Sequence, residues 1–306
     1  MRQIPCADLH CDLLLYLAGG PPRTPFDPAA RCSLPFLKQG GVVFQTLAVY
    51  TETAPGSVPQ AEKQISIYKQ HVQEFPEIRW MPAIENGSGV IEEGEKLESG
   101  LERLEKWHRE LKNILYLSLT WNTENRLGGG NFSTVGLKRD GEIFLEKLAE
   151  LGICIDFSHT SDALAHDILN YIDKKGLQLT PIASHSNFRT LCDMRRNLPD
   201  EIAKEIFKRG GVIGINFVRK FVGGEFLPQL RRHIEHGIAL GGERQLCFGA
   251  DFFCTTDSPS KDLEPYFVEG YDNSSCYQKV LRELELPEPF LEGLSLKNLF
   301  TFLSRE

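Results

Sequence analysis

Short apolar, β-rich runs recur along the whole chain, separated by stretches with helical period, and no other feature constrains the fold as strongly. The runs fall at 6–12, 42–50, 78–84, 114–120, 153–158, 181–185, 212–217 and 246–251. Strands that alternate with helices pair in parallel, because each helical crossover brings the next strand back in the same direction. Eight such units in about 250 residues predict a (β/α)8 TIM-type barrel, an α/β fold. The chain is read as a single domain over 1–306, with its surplus length in two irregular segments expected to form long active-site loops. One is the Pro-rich 18–35; the other is 253–276, rich in Ser, Asp and Pro.

The helices between the runs carry their own boundaries. Phe144, Leu148 and Leu151 share one face and Gly152 ends that helix, while Leu164, Ile168 and Ile172 share another, with Ser161 near its cap and Gly176 beyond its end. A third has Pro199, Asp200 and Glu201 in its first turn, buries Ile202 and Ile206, and stops at Gly210 and Gly211. The charged run 92–112 also reads as a helix, with Leu97, Leu101, Leu104 and Leu111 as its stripe and its Glu and Lys residues as a solvated face.

Composition removes several function classes. The 306 residues carry a net charge of -8 and no Lys/Arg cluster, which argues against nucleic acid as a partner. No run approaches the ~20 apolar residues a membrane span needs. The opening MRQIPCADLHCDLLLYLAGG is broken by Asp8, His10 and Asp12 and does not read as a secretion signal, and the closing KNLFTFLSRE has no lipid-anchor tail, so the expected location is cytoplasmic. The eight cysteines contain no Cys-x-x-Cys, and all are read as structural.

Barrel active sites lie at the C-terminal ends of the strands, so the residues that end each run matter most. The first ends with His10 and Asp12, two apart and therefore on one face of a strand, with Cys11 on the other. The third ends at Glu85, the fifth at His159, the sixth at His185 and the eighth at Asp251. Of the remaining histidines, His71, His108 and His166 fall in helical stretches as solvated surface, and His233 and His236 read as structural. Imidazole and carboxylate donors together suit zinc or a similar first-row ion, and the two oxygens of Glu85 allow it to bridge two ions. The expected cofactor is thus a pair of divalent ions, zinc by preference, which polarise a carbonyl and acidify water.

At these residues the sequence resembles the membrane dipeptidase (renal dipeptidase) family, a branch of the amidohydrolase superfamily. The resemblance runs over nearly the entire chain, through DLHCDLL, AIENG, LTWN, GICIDFSHTS, PIASHSN, MRRNLPD, GADF and KNLF. It implies that His10, Asp12 and Glu85 hold one zinc, and Glu85, His159 and His185 the other. It matches Asp251 to the family's acid/base residue and Arg196 to the arginine that receives the substrate's terminal carboxylate. A guanidinium fork suits a carboxylate in bidentate geometry, and a carboxyl group at the last strand suits proton transfer to a leaving amine. The implied substrate is a small dipeptide with a free carboxylate, L-Xaa-D-Xaa dipeptides included, and a homodimer is the implied assembly.

The chain departs from the family pattern in two places. Trp121 stands where the family's histidine would contact the carbonyl oxygen, which shifts oxyanion stabilisation to the metals or to Asn122. Phe252, Phe253 and Cys254 replace an Asp-Gly-type continuation after Asp251, predicting a more apolar pocket. The alternatives left open are other superfamily hydrolyses, of N-acyl amino acids, lactams or phosphoesters, and an inactive barrel serving as a binding protein. Mononuclear deaminases fit less well, because they resemble His-x-His at the first strand, where this chain has Asp12.

Overall fold

The computed structural model describes residues 3–20, 22–71, 75–257 and 263–305; Pro21 and 258–262, within the two predicted loops, and the His71 side chain lie outside the described residues. Eight strands form one sheet: β1 (Cys6–Cys11), β2 (Val42–Tyr50), β3 (Arg79–Glu85), β4 (Tyr116–Ser118), β5 (Cys154–Asp156), β6 (Pro181–Ile182), β7 (Ile213–Ile215) and β8 (Leu246–Phe248). Their order is β6-β5-β4-β3-β2-β1-β8-β7, with every pairing parallel. A parallel bridge between Ala183 and Ile213 joins the two ends, with Gly214 N–H donating to Ala183 O at 2.8 Å and Ala183 N–H to Val212 O at 3.0 Å. This is the (β/α)8 barrel that the alternating runs predict.

All eight strands lie where the sequence puts them, but β4 to β8 are shorter, because side chains take over the hydrogen bonding where the chain leaves the ladder. Asp156 Oδ1 accepts from the N–H groups of Ser158 (3.2 Å) and Ser184 (2.7 Å). Asp8 does the same between β1 and β8, accepting from His10 N at 2.9 Å and Ala250 N at 2.9 Å. Asn216 Oδ1 accepts from Val218 N at 2.6 Å. Such bonds keep buried backbone donors satisfied while the chain turns away from regular pairing.

The predicted helices form at Leu97–Leu111, Arg139–Leu151, Asp162–Lys175 and Asp200–Lys208. Gly152 and Gly176 end theirs in the left-handed region, at φ 67° and 63°, where a side chain would be strained. Ser161 Oγ caps its helix by accepting from Leu164 N at 3.0 Å. The charged run is the exception: its helix begins at Leu97 rather than near 92, because Glu92 and Glu95 are drawn into other bonds. Glu92 Oε1 accepts from Gly56 N (3.0 Å) and Val58 N (3.1 Å) at the start of the helix Ser57–His71, and Glu95 pairs with Arg103 at 2.9 Å.

The last helix, Asn298–Leu303, brings Leu299 and Phe302 against Ala7, Phe44, Leu115 and Val212, all near strand beginnings. That end of the barrel is therefore packed with apolar side chains, and the polar groups gather at the other. Among the described residues no helix is long and apolar enough to cross a membrane.

Candidate metal centre

Three histidines and three carboxylates converge at the C-terminal ends of the strands. His10 Nε2 lies 3.3 Å from Glu85 Oε2, 3.7 Å from Asp12 Oδ1 and 3.8 Å from Asp251 Oδ1. Glu85 turns its other oxygen to His159 Nε2 at 2.9 Å and His185 Nε2 at 3.8 Å. Glu85 thus stands between His10 on one side and the His159–His185 pair on the other. Mutual proximity also groups Asp251 with His10 and Asp12, and His185 with His10 and Glu85.

The hydrogen bonds behind the rings fix each imidazole in the same tautomer. Tyr116 O–H donates to Leu9 O at 3.1 Å, so the 2.7 Å bond to His10 Nδ1 carries the histidine's proton. Ser184 O–H donates to Asp156 Oδ2 at 2.8 Å, so it accepts from His185 Nδ1 at 2.7 Å. Asn122 Oδ1 can only accept, which places the proton of His159 on Nδ1 at 3.0 Å. Every Nε2 is then a lone pair pointing inward.

Among the described residues these lone pairs face one another and carboxylate oxygens. His159 Nε2 and His185 Nε2 approach to 3.0 Å, and His10 Nε2, Asp12 Oδ1 and Glu85 Oε2 are buried without a hydrogen-bond partner. Acceptors this close repel one another unless a cation lies among them. Burial pushes Glu85 up to about 8 and Asp251 up to about 6, raises Asp12 well above the usual carboxylate range, and holds His159 and His185 well below the usual imidazole value. Divalent charge would reverse the carboxylate shifts, and neutral imidazoles are the form that ligates. The donor set fits divalent metal.

A cavity of about 800 Å³ opens over this centre, with Asp12, Glu85, Asp251 and His159 in its floor. His10 and His185 lie beneath it, fully buried. Arg196, also buried, donates to the backbone carbonyls of Ser158 and His185, and its guanidinium lies 5.2 Å from the centroid of the Phe221 ring. Asp251 sits in the left-handed region, φ 64°, strain of the sort that functional sites tolerate, and accepts from Asn216 Nδ2 at 3.0 Å. Trp121 lines the wall, edge-on to Tyr50 at 5.1 Å and 5.9 Å from the His159 ring. Asn122 lies beside it and commits its carbonyl to His159, which makes it a support of the metal centre as well as part of the cavity wall.

All nine residues singled out from the sequence meet here. Sequence reasoning missed the residues behind them: Tyr116, Ser184, Asp156 and Asn216. The serines flanking the histidines in FSHTS and ASHSN were the available signal, whereas Tyr116 lies 106 positions from His10 and gave none. His233 and His236 are structural as expected: His233 accepts from Phe188 N at 3.3 Å and bonds Val222 O at 2.9 Å, and His236 pairs with Asp200 at 3.0 Å. His166 is exposed in its helix and His108 half-buried in its own.

Known proteins resemble this chain in sequence and in fold. Dipeptidase 3 of Macaca fascicularis is 26% identical over 98% of this chain, and an uncharacterised dipeptidase, C965.12, of Schizosaccharomyces pombe is 28% identical over 59%. The matches span 64% and 44% of those proteins' own lengths. A metallo peptidase from Rhodobacter sphaeroides, solved with a phosphinate mimic of the dipeptide L-Ala-D-Ala, shares the fold at a TM-score of 0.83, with 19% identity and 99% of both chains covered. The family described as membrane dipeptidase, peptidase family M19, matches residues 1–305, and the chain belongs to it.

Proposed function

We propose that this protein is a metal-dependent dipeptidase that cleaves the amide of small dipeptides with a free carboxylate, using two divalent ions, zinc by preference. The observation that carries the reading is the inward-facing donor set His10, Asp12, Glu85, His159 and His185, in which His10 Nε2, Asp12 Oδ1 and Glu85 Oε2 lack a hydrogen-bond partner, beneath a cavity with a buried arginine in its wall. When bound, a pair of divalent ions supplies the charge that polarises the scissile carbonyl and acidifies water. His10, Asp12 and Glu85 would hold one ion and Glu85, His159 and His185 the other.

The chain's own groups supply the rest. Arg196 binds the substrate's terminal carboxylate through its fork of N–H groups, fixing the amide above the centre. Asp251 is placed to take up a proton at Oδ1 and pass it to the leaving amine, while Asn216 donates to the other oxygen and keeps it in place. Trp121 and Asn122 shape the wall beside the carbonyl. The R. sphaeroides enzyme's L-Ala-D-Ala mimic makes L-Xaa-D-Xaa dipeptides the first candidates. A reducing, cytoplasmic location goes with this proposal, since none of the eight cysteines is in a disulfide.

The test is elemental analysis of purified protein together with hydrolysis of L,L and L,D dipeptides with and without chelator. About two divalent ions per chain, chelator-sensitive turnover and resistance of C-terminally amidated dipeptides are expected. Metal-free protein with undiminished turnover would overturn the reading.

A further inference from the structure

Resting on that reading, we infer that the enzyme prefers dipeptides whose carboxy-terminal residue carries a bulky apolar side chain, of leucine or phenylalanine size. The order of the ring places it. Arg196 follows β6 and Asp251 follows β8, with β7 between them, bridged to one and paired with the other. The leaving residue has its carboxylate on Arg196 and its nitrogen at Asp251. It therefore lies across the β6–β8 arc, and its side chain meets the loops that follow β7 and β8.

Those loops present Val218, Phe221, Phe253 and Tyr266 to the cavity. Phe221 sits against the Arg196 guanidinium, so carboxylate recognition and the side-chain pocket share one wall. Phe253 packs edge-on against Tyr266, with centroids 5.0 Å apart and planes at 80°, and leans on Phe267 at 5.4 Å. Arg219 N–H donates to Tyr266 O at 2.7 Å and ties the two loops together. The wall is thus preassembled from rings that hold one another, with Phe253 left half-buried and available for contact. The charged residues at the cavity's rim, Glu52, Asp193, Arg195 and Asp257, are exposed, and Asp257 is engaged by Arg23 at 2.8 Å. A charged side chain on the leaving residue would lose water against Val218, Phe221, Phe253 and Tyr266, none of which carries a charge to offset it.

The experiment holds the first residue constant as L-Ala and varies the second through Ala, Leu, Phe, Asp and Lys in both configurations, measuring kcat/KM on the metal-loaded enzyme. Leu and Phe are expected to exceed Ala by about 10-fold or more, the discrimination an apolar pocket gives, with Asp and Lys lowest. Phe253→Ala is expected to cut the Phe-over-Ala ratio by about 10-fold, and Phe253→Leu, which keeps apolar bulk, to retain most of it. Ala, Asp or Lys favoured over Leu and Phe overturns this inference while leaving the dipeptidase reading intact, as does a ratio unmoved in folded Phe253→Ala. No turnover on any member of the series overturns both.

Discussion

His185 turns one nitrogen into the candidate metal centre and is held by the other, and the chain behind it ends on a carboxylate: Nδ1 to Ser184 Oγ, and Ser184 Oγ to Asp156 Oδ2. His10 and His159 are backed by neutral groups instead, a phenol and an amide. A carboxylate at the end of the relay makes the imidazole a stronger donor, so Ser184→Ala is expected to weaken metal binding by roughly 10–100-fold, read from competition with a calibrated chelator. Unchanged metal affinity would show that the relay only packs. Asp251 is distinguished from the other carboxylates by its proposed task rather than its position, since it too stands within ligand reach of His10 and Asp12. Asp251→Asn is expected to keep the native protein's metal content and lose turnover by about 10²–10⁴-fold, the range for a general acid/base; full turnover, or a lower metal content on elemental analysis, would reassign it. Six of the nine candidate residues were legible because histidines and carboxylates at the ends of apolar runs are conspicuous, whereas Arg196, Trp121 and Asn122 entered through the family resemblance. Their supports were not, because a tyrosine or serine in a buried strand reads as packing until its hydroxyl is seen against a ring nitrogen.

At the scale of elements, strand positions followed from apolar runs and helix ends from glycine and serine, since φ above zero and an N-cap oxygen are local demands. What local sequence did not show was where a strand stops pairing, because Asp8, Asp156 and Asn216 take up neighbouring strands' backbone groups or their own. Glu92 shows the same limit for helices, serving a helix other than the one its charge pattern suggests. The helix Phe226–Gly237 is docked partly by His233, which is neutral and buried between Phe188 N and Val222 O. Burial lowers this imidazole from 6.5 to about 4. Between those values the unfolded chain binds more protons than the folded one, so stability falls as pH falls from 6.5 toward 4 and the loss saturates below. By pH 5 the loss relative to pH 7 is about 2 kcal/mol from this group. His233→Gln should show a drop in unfolding free energy between pH 7 and pH 5 smaller than the native protein's by about that amount; an equally steep drop in both proteins would remove His233 from the role.

For the molecule as a whole, closing eight parallel strands into a ring sends every strand end to the same mouth, and the Asn298–Leu303 helix packs apolar side chains at the other. The sequence by itself determined the number and kind of units and set histidines and carboxylates at the strand ends, because periodicity and residue chemistry are properties of the chain read in order. Only the tertiary structure decided that His10 and Glu85, 75 positions apart in sequence, stand at 3.3 Å, and that all three imidazoles turn a lone pair inward. It also decided that the Phe252–Cys254 departure divides its side chains, with Phe252 in the core and Phe253 on the cavity wall. The physical reason is common to all three: distances and proton positions depend on groups brought together by ring closure, and local sequence carries no record of which partner lies across the barrel.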